Sequence, residues 1–266
     1  MKTLRDIQSE FDDRNIPLRR VGIRDIKYPL KVMRKDGGIV DTIATFNLYV
    51  NLPHHFRGTH MSRFVEALEE FNEMLSWEDL KAFAIKLKDK LSAEASHIEI
   101  FFPFLIRKKA PVSGKPSYMN YDAHIEAILK GNTFSILTGV KVPVHTLCPC
   151  SKAISKYGAH NQRAFVDITV KSTKIVWLEE LIEIAEKGSS HGLYALLKRV
   201  DEKHLTEYAY DNPKFVEDVA RDVATMLIND ERIKWFSVEV ESMESIHNHQ
   251  AYASVIWERG NGFWTA

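Results

Sequence analysis

The spacing of apolar positions changes several times along the chain, and each change marks an element. From Ile26 to Met33 and from Ile39 to Leu52 β-branched and aromatic residues dominate. Gly37-Gly38 between the two runs supplies a turn, so the segment predicts a hairpin. The period then lengthens to a helical one through Phe64, Val65, Leu68, Phe71 and Leu75, with Ser62 as the expected N-cap. A second helix is expected after Ser76, with Asp79 at its third position and Leu80, Phe83, Leu87 and Leu91 along its apolar face. Strand patterning returns over His97 to Ile106 and Met119 to Leu129, on either side of a basic, Pro/Gly-rich loop from Lys108 to Pro116.

The second half repeats the order. Phe134 to Val144 and Arg163 to Val170 predict strands, and Trp177 to Glu186 and Pro213 to Ile228 predict helices, the latter with Pro213 in its first turn. Ile233 to Val240 and Ala251 to Trp257 predict the closing strands. A hairpin, a helix pair and a hairpin make a four-stranded antiparallel sheet with both helices on one face. Two such units in tandem make a curved half-ring whose open edges call for partners, because unpaired strand edges invite aggregation. The expected architecture is therefore α+β. An arm over residues 1–20 precedes a first β-β-α-α-β-β unit over 21–131, a second unit over 132–258 and a tail over 259–266. The chains are expected to associate as a homo-oligomer whose sheets join into a barrel.

Composition narrows the partners. Lys+Arg and Asp+Glu number 36 each, so no bulk positive charge draws the chain to nucleic acid, although a local basic pocket for one anion stays open. The N-terminal residues Met1 to Asp6 contain no apolar stretch of signal-peptide length, and no apolar run approaches the ~20 residues of a membrane span. With only two cysteines, a reducing cytoplasm is the expected compartment, with no membrane partner.

Both cysteines stand two apart in Val144-His145-Thr146-Leu147-Cys148-Pro149-Cys150-Ser151-Lys152, and His160 follows in Gly158-Ala159-His160-Asn161-Gln162-Arg163. A thiolate beside an imidazole suits a borderline-soft metal; it equally suits a nucleophile with its base, and the residues alone leave both readings open. On an extended segment Cys150 would point the same way as Cys148, so it either ligates as well or supports its neighbour. His247 and His249 are likewise two apart, just before the last strand. Glu202 lies in the charged run Lys198-Arg199-Val200-Asp201-Glu202-Lys203, which by itself reads as a solvated stretch. Glu217, near a helix start, complements the helix dipole there. Arg63 sits at another helix start, where free backbone N–H groups favour anions.

Several strings resemble those of type IB GTP cyclohydrolases of the tunnelling-fold superfamily. They are Gly58-Thr59-His60-Met61-Ser62-Arg63-Phe64, Ala110-Pro111-Val112-Ser113-Gly114, Leu147-Cys148-Pro149-Cys150-Ser151-Lys152 and Tyr157-Gly158-Ala159-His160-Asn161-Gln162-Arg163. Asn212-Pro213-Lys214-Phe215-Val216-Glu217-Asp218 and Glu244-Ser245-Ile246-His247-Asn248-His249 complete the set. The resemblance runs from about residue 15 to about residue 257 without departure at the motif positions, and the tail from Gly260 lies outside it.

The resemblance implies the bimodular tunnelling fold and conversion of GTP to 7,8-dihydroneopterin triphosphate with release of formate, the first step toward folate-type pterins. It implies a divalent metal held by Cys148, His160, Glu202 and His247, and catalytic roles for Cys148, His247 and His249, one histidine ligating while the other moves protons. Type IA cyclohydrolases add a distant second cysteine. This chain has no further cysteine-bearing region, so His or Glu must complete the site, and manganese or iron becomes as reasonable as zinc. Glu217 would hold the guanine by accepting from N1–H and the 2-amino group. Arg63, His60, Lys198, Arg199 and Lys203 would bind substrate phosphates, with Lys152, Arg163, Lys108, Lys109 and Lys115 as further cations within reach. The implied oligomer is a tetramer or larger with sites between subunits.

Two other classes stand beside this reading. One is a tunnelling-fold nitrile reductase acting on a deazapurine through a cysteine thioimide, with NADPH as reductant. The other is a non-catalytic binding protein with a closed structural metal site. Covalent modification of Cys148 by substrate would mark the first, and tight four-ligand coordination without turnover the second.

Overall fold

The computed structural model describes residues 6–8 and 10–264. In chain order the elements are β1 (Leu18–Met33), β2 (Ile39–Leu52), α1 (Ser62–Glu69), β3 (Met74–Leu75), α2 (Trp77–Lys90), β4 (Ala95–Lys109), β5 (Pro116–Lys130) and β6 (Thr133–Leu147). Then come α3 (Pro149–Ile154), β7 (Asn161–Ser172), α4 (Leu178–Gly188), β8 (His191–Gly192), α5 (Arg199–Asp211), α6 (Val216–Ile228), β9 (Ile233–Ser242), β10 (Ala251–Glu258) and β11 (Gly262–Phe263). The chain groups into two compact units, Met1–Phe102 with His124–Leu137 and Pro103–Ala123 with Thr138–Ala266.

In the first unit the strands run in the order β3-β1-β2-β4-β5. β1 and β2 pair antiparallel, as do β2 and β4, with Phe46 opposite Ile100 and Leu48 opposite Ile98. Alternation along β2 sends Ala44, Phe46, Leu48 and Val50 inward, and Phe64 and Leu68 of α1 and Leu80 and Leu87 of α2 are buried in the same unit. Each such Phe or Leu contributes roughly 1.5–3 kcal/mol by leaving water. Phe71 stacks edge-on against Phe46 at 6.0 Å and lies 5.0 Å from Phe83, tying helices to sheet. Ser76 caps α2 as expected, its Oγ accepting from the Asp79 N–H at 3.0 Å.

Two readings are corrected here. Ser62 is the first helical residue rather than a cap: Met61 already has helical dihedrals, and the Arg63 and Phe64 amides donate to the His60 and Met61 carbonyls instead of to a side chain. The first strand begins at Leu18, not Ile26. Its register with β2 shifts between Ile23 and Ile26, where Asp25 takes a left-handed φ of 60° and its amide donates to the Asn47 side chain. That irregularity breaks the two-residue period. Gly22 lies just before it because a Cβ there would meet the Leu48 carbonyl oxygen at 1.8 Å.

In the second unit the order is β11-β10-β9-β7-β6, with β8 also on β6, and the named pairs are antiparallel. Val142, Val144, Val166, Ile168, Phe236, Val238 and Val240 form the buried sheet face, and Leu181 of α4 with Val219, Val223 and Leu227 of α6 are buried with them. Pro213 is not in the first turn of the last helix. α6 starts at Val216, because the preceding residues are bound elsewhere: the Lys214 amide donates to the Leu147 carbonyl at 3.0 Å, and the Asn212 side-chain amide donates to the Ser189 and Ser190 carbonyls at 3.1 Å. The described residues of this unit also carry α3 and α5 beyond the expected helix pair. The charged run from Lys198 turns out to open α5, whose inward positions are only Asp201, Leu205 and Ala209, too sparse to make a helical stripe. Lys108 and Lys109 end β4, so the expected loop is shorter than its basic string.

Candidate functional site

Cys148 is the N-cap of α3, with Pro149 at the first helical position and the sulfur accepting from the Ser151 amide at 3.4 Å. β6 and β7 run antiparallel with Leu147 opposite Asn161, which puts the chain beside Cys148 next to the chain beside His160. The Cys148 amide donates to the His160 carbonyl at 3.1 Å, and the His160 amide donates to Ser151 Oγ at 3.2 Å. The His160 ring is aimed as well. Its Nδ1 faces Gln162 Oε1 at 2.9 Å, and the Gln162 amide nitrogen donates to Thr146 Oγ1 and Glu244 Oε1 at 3.3 and 3.4 Å. With Nδ1 donating, Nε2 carries the lone pair, the form in which imidazole takes a metal. Cys150 is exposed, and both thiols are unpaired.

A cavity of about 720 Å³ opens next to this pair, lined among others by Leu147, Asn161, Glu202 and Tyr210. Glu202, on the exposed face of α5, is thus on the wall of the same cavity. Two histidines that the sequence reading passed over are there too. β8 pairs with β6 so that His145 faces His191, and the two rings stack 4.3 Å apart and nearly parallel. Burial lowers both pKa values, His191's to about 4, and so favours the uncharged form of each ring. His145 Nδ1 is buried without a hydrogen-bond partner, and Nε2 faces Asn161 Oδ1 at 3.1 Å. His145 stood in the cysteine string itself, but only the two-residue β8 reveals the pairing.

Asp201, fully buried at the start of α5, links that helix to the Ala110-Pro111-Val112-Ser113-Gly114 loop. Its carboxylate accepts from the Val112 and Ser113 amides at 2.9 and 2.8 Å, from Ser113 Oγ at 2.6 Å and from the Lys198 amide at 2.8 Å. Burial opposes its ionisation, yet the hydrogen bonds from Ser113, Lys198 and Val112 outweigh that and hold its pKa well below the usual carboxylate range. Because the folded-state value is the lower one, this stabilisation is complete above about pH 4 and is lost as the pH falls toward the depressed value. Asp201→Ala is expected to lower the melting temperature at pH 7 by several degrees and to speed hydrogen exchange at Val112 and Ser113. The melting difference from wild type should shrink on acidification; an unchanged difference at low pH would sink this account.

The remaining expected site residues are found as follows. His247 and His249 are exposed in the 243–250 connection and stack on each other at 5.1 Å. Glu217 is exposed in the first turn of α6. Lys198, Arg199 and Lys203 are exposed at the start of α5, and Lys203 pairs with Glu207 at 2.8 Å. In the first unit, Arg63 donates to the Lys90 carbonyl at 3.3 Å and His60 Nε2 lies 3.3 Å from Asp6 Oδ2. Lys152 donates to the Tyr210 carbonyl with its ammonium over that ring. Lys108 is committed inside its unit: its ammonium donates to Glu186 Oε1 at 2.6 Å and to the Leu193 carbonyl at 2.8 Å.

The donor chemistry of Cys148, His160, Glu202 and His247 fits a divalent cation of the zinc, manganese or iron kind. Among the described residues no three of these four bring ligand atoms within 4.8 Å of one another; the group that does is His97, Glu99 and Glu126 in the first unit.

Comparison with known proteins gives a consistent answer. The family described as type I GTP cyclohydrolase folE2 matches residues 4–253. A GTP cyclohydrolase FolE2 of Fervidobacterium nodosum is 53% identical over 250 residues, covering 94% of this chain and 96% of that protein. Another, of Thermosipho africanus, is 52% identical over 252 residues, covering 95% and 97%. Among solved structures, a uricase from Arthrobacter globiformis superposes with a TM-score of 0.54 at 7% identity, over 93% of this chain and 96% of that one. The urate oxidase of Bacillus subtilis 168 gives 0.51 at 9% identity, over 91% and 100%. At such identities the likeness concerns the fold alone, which is the tunnelling fold. With the family match spanning nearly the whole sequence, the chain belongs to the type I GTP cyclohydrolase FolE2 family.

Proposed function

We propose that this chain is a metal-dependent cyclohydrolase of the type IB class. It opens the imidazole ring of GTP by hydrolysis, giving formate and 7,8-dihydroneopterin triphosphate for folate-type pterins. The observation that carries this reading is the family match over residues 4–253, joined by relatives of about half identity that bear the name GTP cyclohydrolase FolE2.

Hydrolysis requires water to add at C8 of the purine, after which the ring opens, a second water releases the formyl group as formate, and the freed amine condenses with the rearranged ribose carbons, losing water, to close the pterin ring. Cys148, through its thiolate, His160, through Nε2, Glu202 and His247 are proposed to hold the cation. Bound there, a divalent cation supplies a water acidic enough to ionise near neutral pH. Gln162 keeps the His160 ring turned so that Nε2 remains an acceptor. His249, with His247 against it, would give and take protons at the ring nitrogens of the substrate, a task for which an imidazole pKa is suited at pH 7. Glu217 would accept from the guanine N1–H and 2-amino group, while Lys198, Arg199, Lys203, Arg63 and His60 would meet the triphosphate.

The open outer edges of β1 and β10, each covered over only two residues by a short strand, support a homo-oligomer, and we propose a tetramer or larger with sites between subunits. The division into repeats at 21–131 and 132–258, and a cytoplasmic location with both thiols reduced, belong to the same reading.

The test is an assay of purified, chelator-treated protein with GTP, following formate and the pterin fluorescence that appears after oxidation. Turnover is expected to vanish without metal and to return with manganese, zinc or iron(II) added singly. No turnover with any metal, alongside covalent modification of Cys148 by a nitrile-bearing deazapurine, would overturn the reading in favour of the reductase.

A further inference from the structure

We propose that His97, Glu99 and Glu126 form a second divalent-cation site, in the first unit and distinct in its residues from the Cys148 group. His97 and Glu99 are two apart on β4 and so project from one face of the sheet, and Glu126 comes from β5, the next strand. His97 Nε2 lies 2.5 Å from Glu126 Oε1 and 3.5 Å from Glu99 Oε1, and all three donor atoms fall within 4.8 Å of one another. Ligands about 2.0–2.2 Å from a first-row divalent ion stand roughly 3–3.6 Å from each other, so the His97–Glu99 separation already fits and the hydrogen-bonded Glu126 oxygen has to back off by about 0.5–1 Å as the ion enters.

The donors are held from behind, as metal ligands are. Glu99 Oε2 accepts from the Asn47 side-chain amide at 3.0 Å and from the Tyr49 hydroxyl at 3.4 Å, which leaves Oε1 turned toward the group. Asn47, itself buried, is fixed in turn by the Asp25 amide. The Tyr49 ring packs edge-on against the His97 ring at 5.9 Å.

Arg20 occupies the position a cation would take electrostatically. Its guanidinium lies 2.9 Å from Glu99 Oε1, 3.5 Å from Glu126 Oε1 and 3.2 Å from His97 Nε2. This leaves one nitrogen with two incompatible neighbours. If His97 Nε2 is protonated it faces the guanidinium N–H groups donor to donor; if it is not, the hydrogen bond to Glu126 is lost. A divalent ion removes the conflict, since it takes the imidazole lone pair and supplies to the two carboxylates the charge otherwise brought by Arg20 and a His97 proton. The Arg20 side chain is 35% exposed and that of Glu126 30%, so the arginine has solvent to move into and the ion a way in. One imidazole with two carboxylates suits manganese or zinc, and the bound ion would cross-link β4 to β5.

The test uses the full chain stripped of metal and titrated with Mn²⁺, bound and free ion being separated by electron paramagnetic resonance, and then with Zn²⁺. A Cys148→Ser/His160→Ala double variant, which disables the other proposed site, is expected to keep one equivalent of tightly bound cation per chain. Adding Glu126→Gln should weaken that binding at least ~10-fold, the lower end of what disturbing a metal's surroundings costs. Adding Arg20→Gln should tighten it by a similar factor, because the competing positive charge is gone. The proposal fails if the double variant binds no cation, or if neither Glu126→Gln nor Arg20→Gln changes its affinity. Failure of the Cys148 reading would show separately, as metal-independent turnover or as metal affinity and turnover unaffected by the double variant.

Discussion

Replacing Cys148 by serine is expected to reduce metal-dependent formate release from GTP by at least about a thousandfold, equivalent to roughly 4 kcal/mol of lost transition-state stabilisation. The reaction needs a nucleophile that bulk water at neutral pH does not provide, and a thiolate is the strongest soft donor this site offers a cation. Serine is the informative replacement because of where Cys148 sits. As the N-cap of α3, with the Ser151 amide directed at its sulfur, it stands where serine is among the preferred residues, so the cap and the local fold survive while the thiolate is lost. Metal content and formate release measured on the same preparation, beside a thermal melt, separate the two effects. A Cys148→Ser protein that keeps both its metal and its turnover would remove Cys148 from the chemistry.

Glu217→Gln is expected to lower kcat/KM for GTP by about 10²–10⁴-fold. A carboxylate accepting from two guanine donors makes two charge-assisted hydrogen bonds, each worth about 1.5–3 kcal/mol, whereas glutamine retains one oxygen and turns an N–H₂ toward a donor. The alternative role of Glu217, an acid complementing the dipole of α6, is worth only about 0.3–1 kcal/mol of stability and would leave turnover alone. Structure favours a clean experiment, since Glu217 is exposed and the first turn of α6 is closed by its neighbour Asp218, which accepts from the Phe215 amide at 3.0 Å. Comparing GTP with inosine triphosphate, which lacks the 2-amino group, sharpens the result: wild type should prefer GTP strongly and Glu217→Gln much less so. Equal preference in both proteins would place the guanine contact elsewhere.

The strands and helices with regular apolar spacing were legible before any coordinates. β2, α2 and β9 each keep one side chain in two or in three to four turned inward, and their boundaries came out close to those expected. Departures have identifiable causes. β1 is interrupted by the register shift at Asp25, α5 rests on few apolar residues, and the start of α6 is displaced by hydrogen bonds from Asn212 and Lys214 to residues 22 or more positions from their donors.

For the site, the sequence by itself determined the family, through strings scattered over the chain, and with it the residue types a purine-opening metal enzyme would use. It also determined the alternation that puts His97 and Glu99 on one face of a strand. Tertiary structure alone decided which residues share a space. The β6–β7 register sets Cys148 beside His160, the β8 pairing stacks His191 on His145, and Asp201 binds loop amides 88 and 89 positions away. The physical reason is range. Periodicity and capping report interactions within about one turn or one strand, whereas ligand geometry, imidazole stacking and the hydrogen bonding of a buried carboxylate depend on groups brought together only when the chain packs around its core.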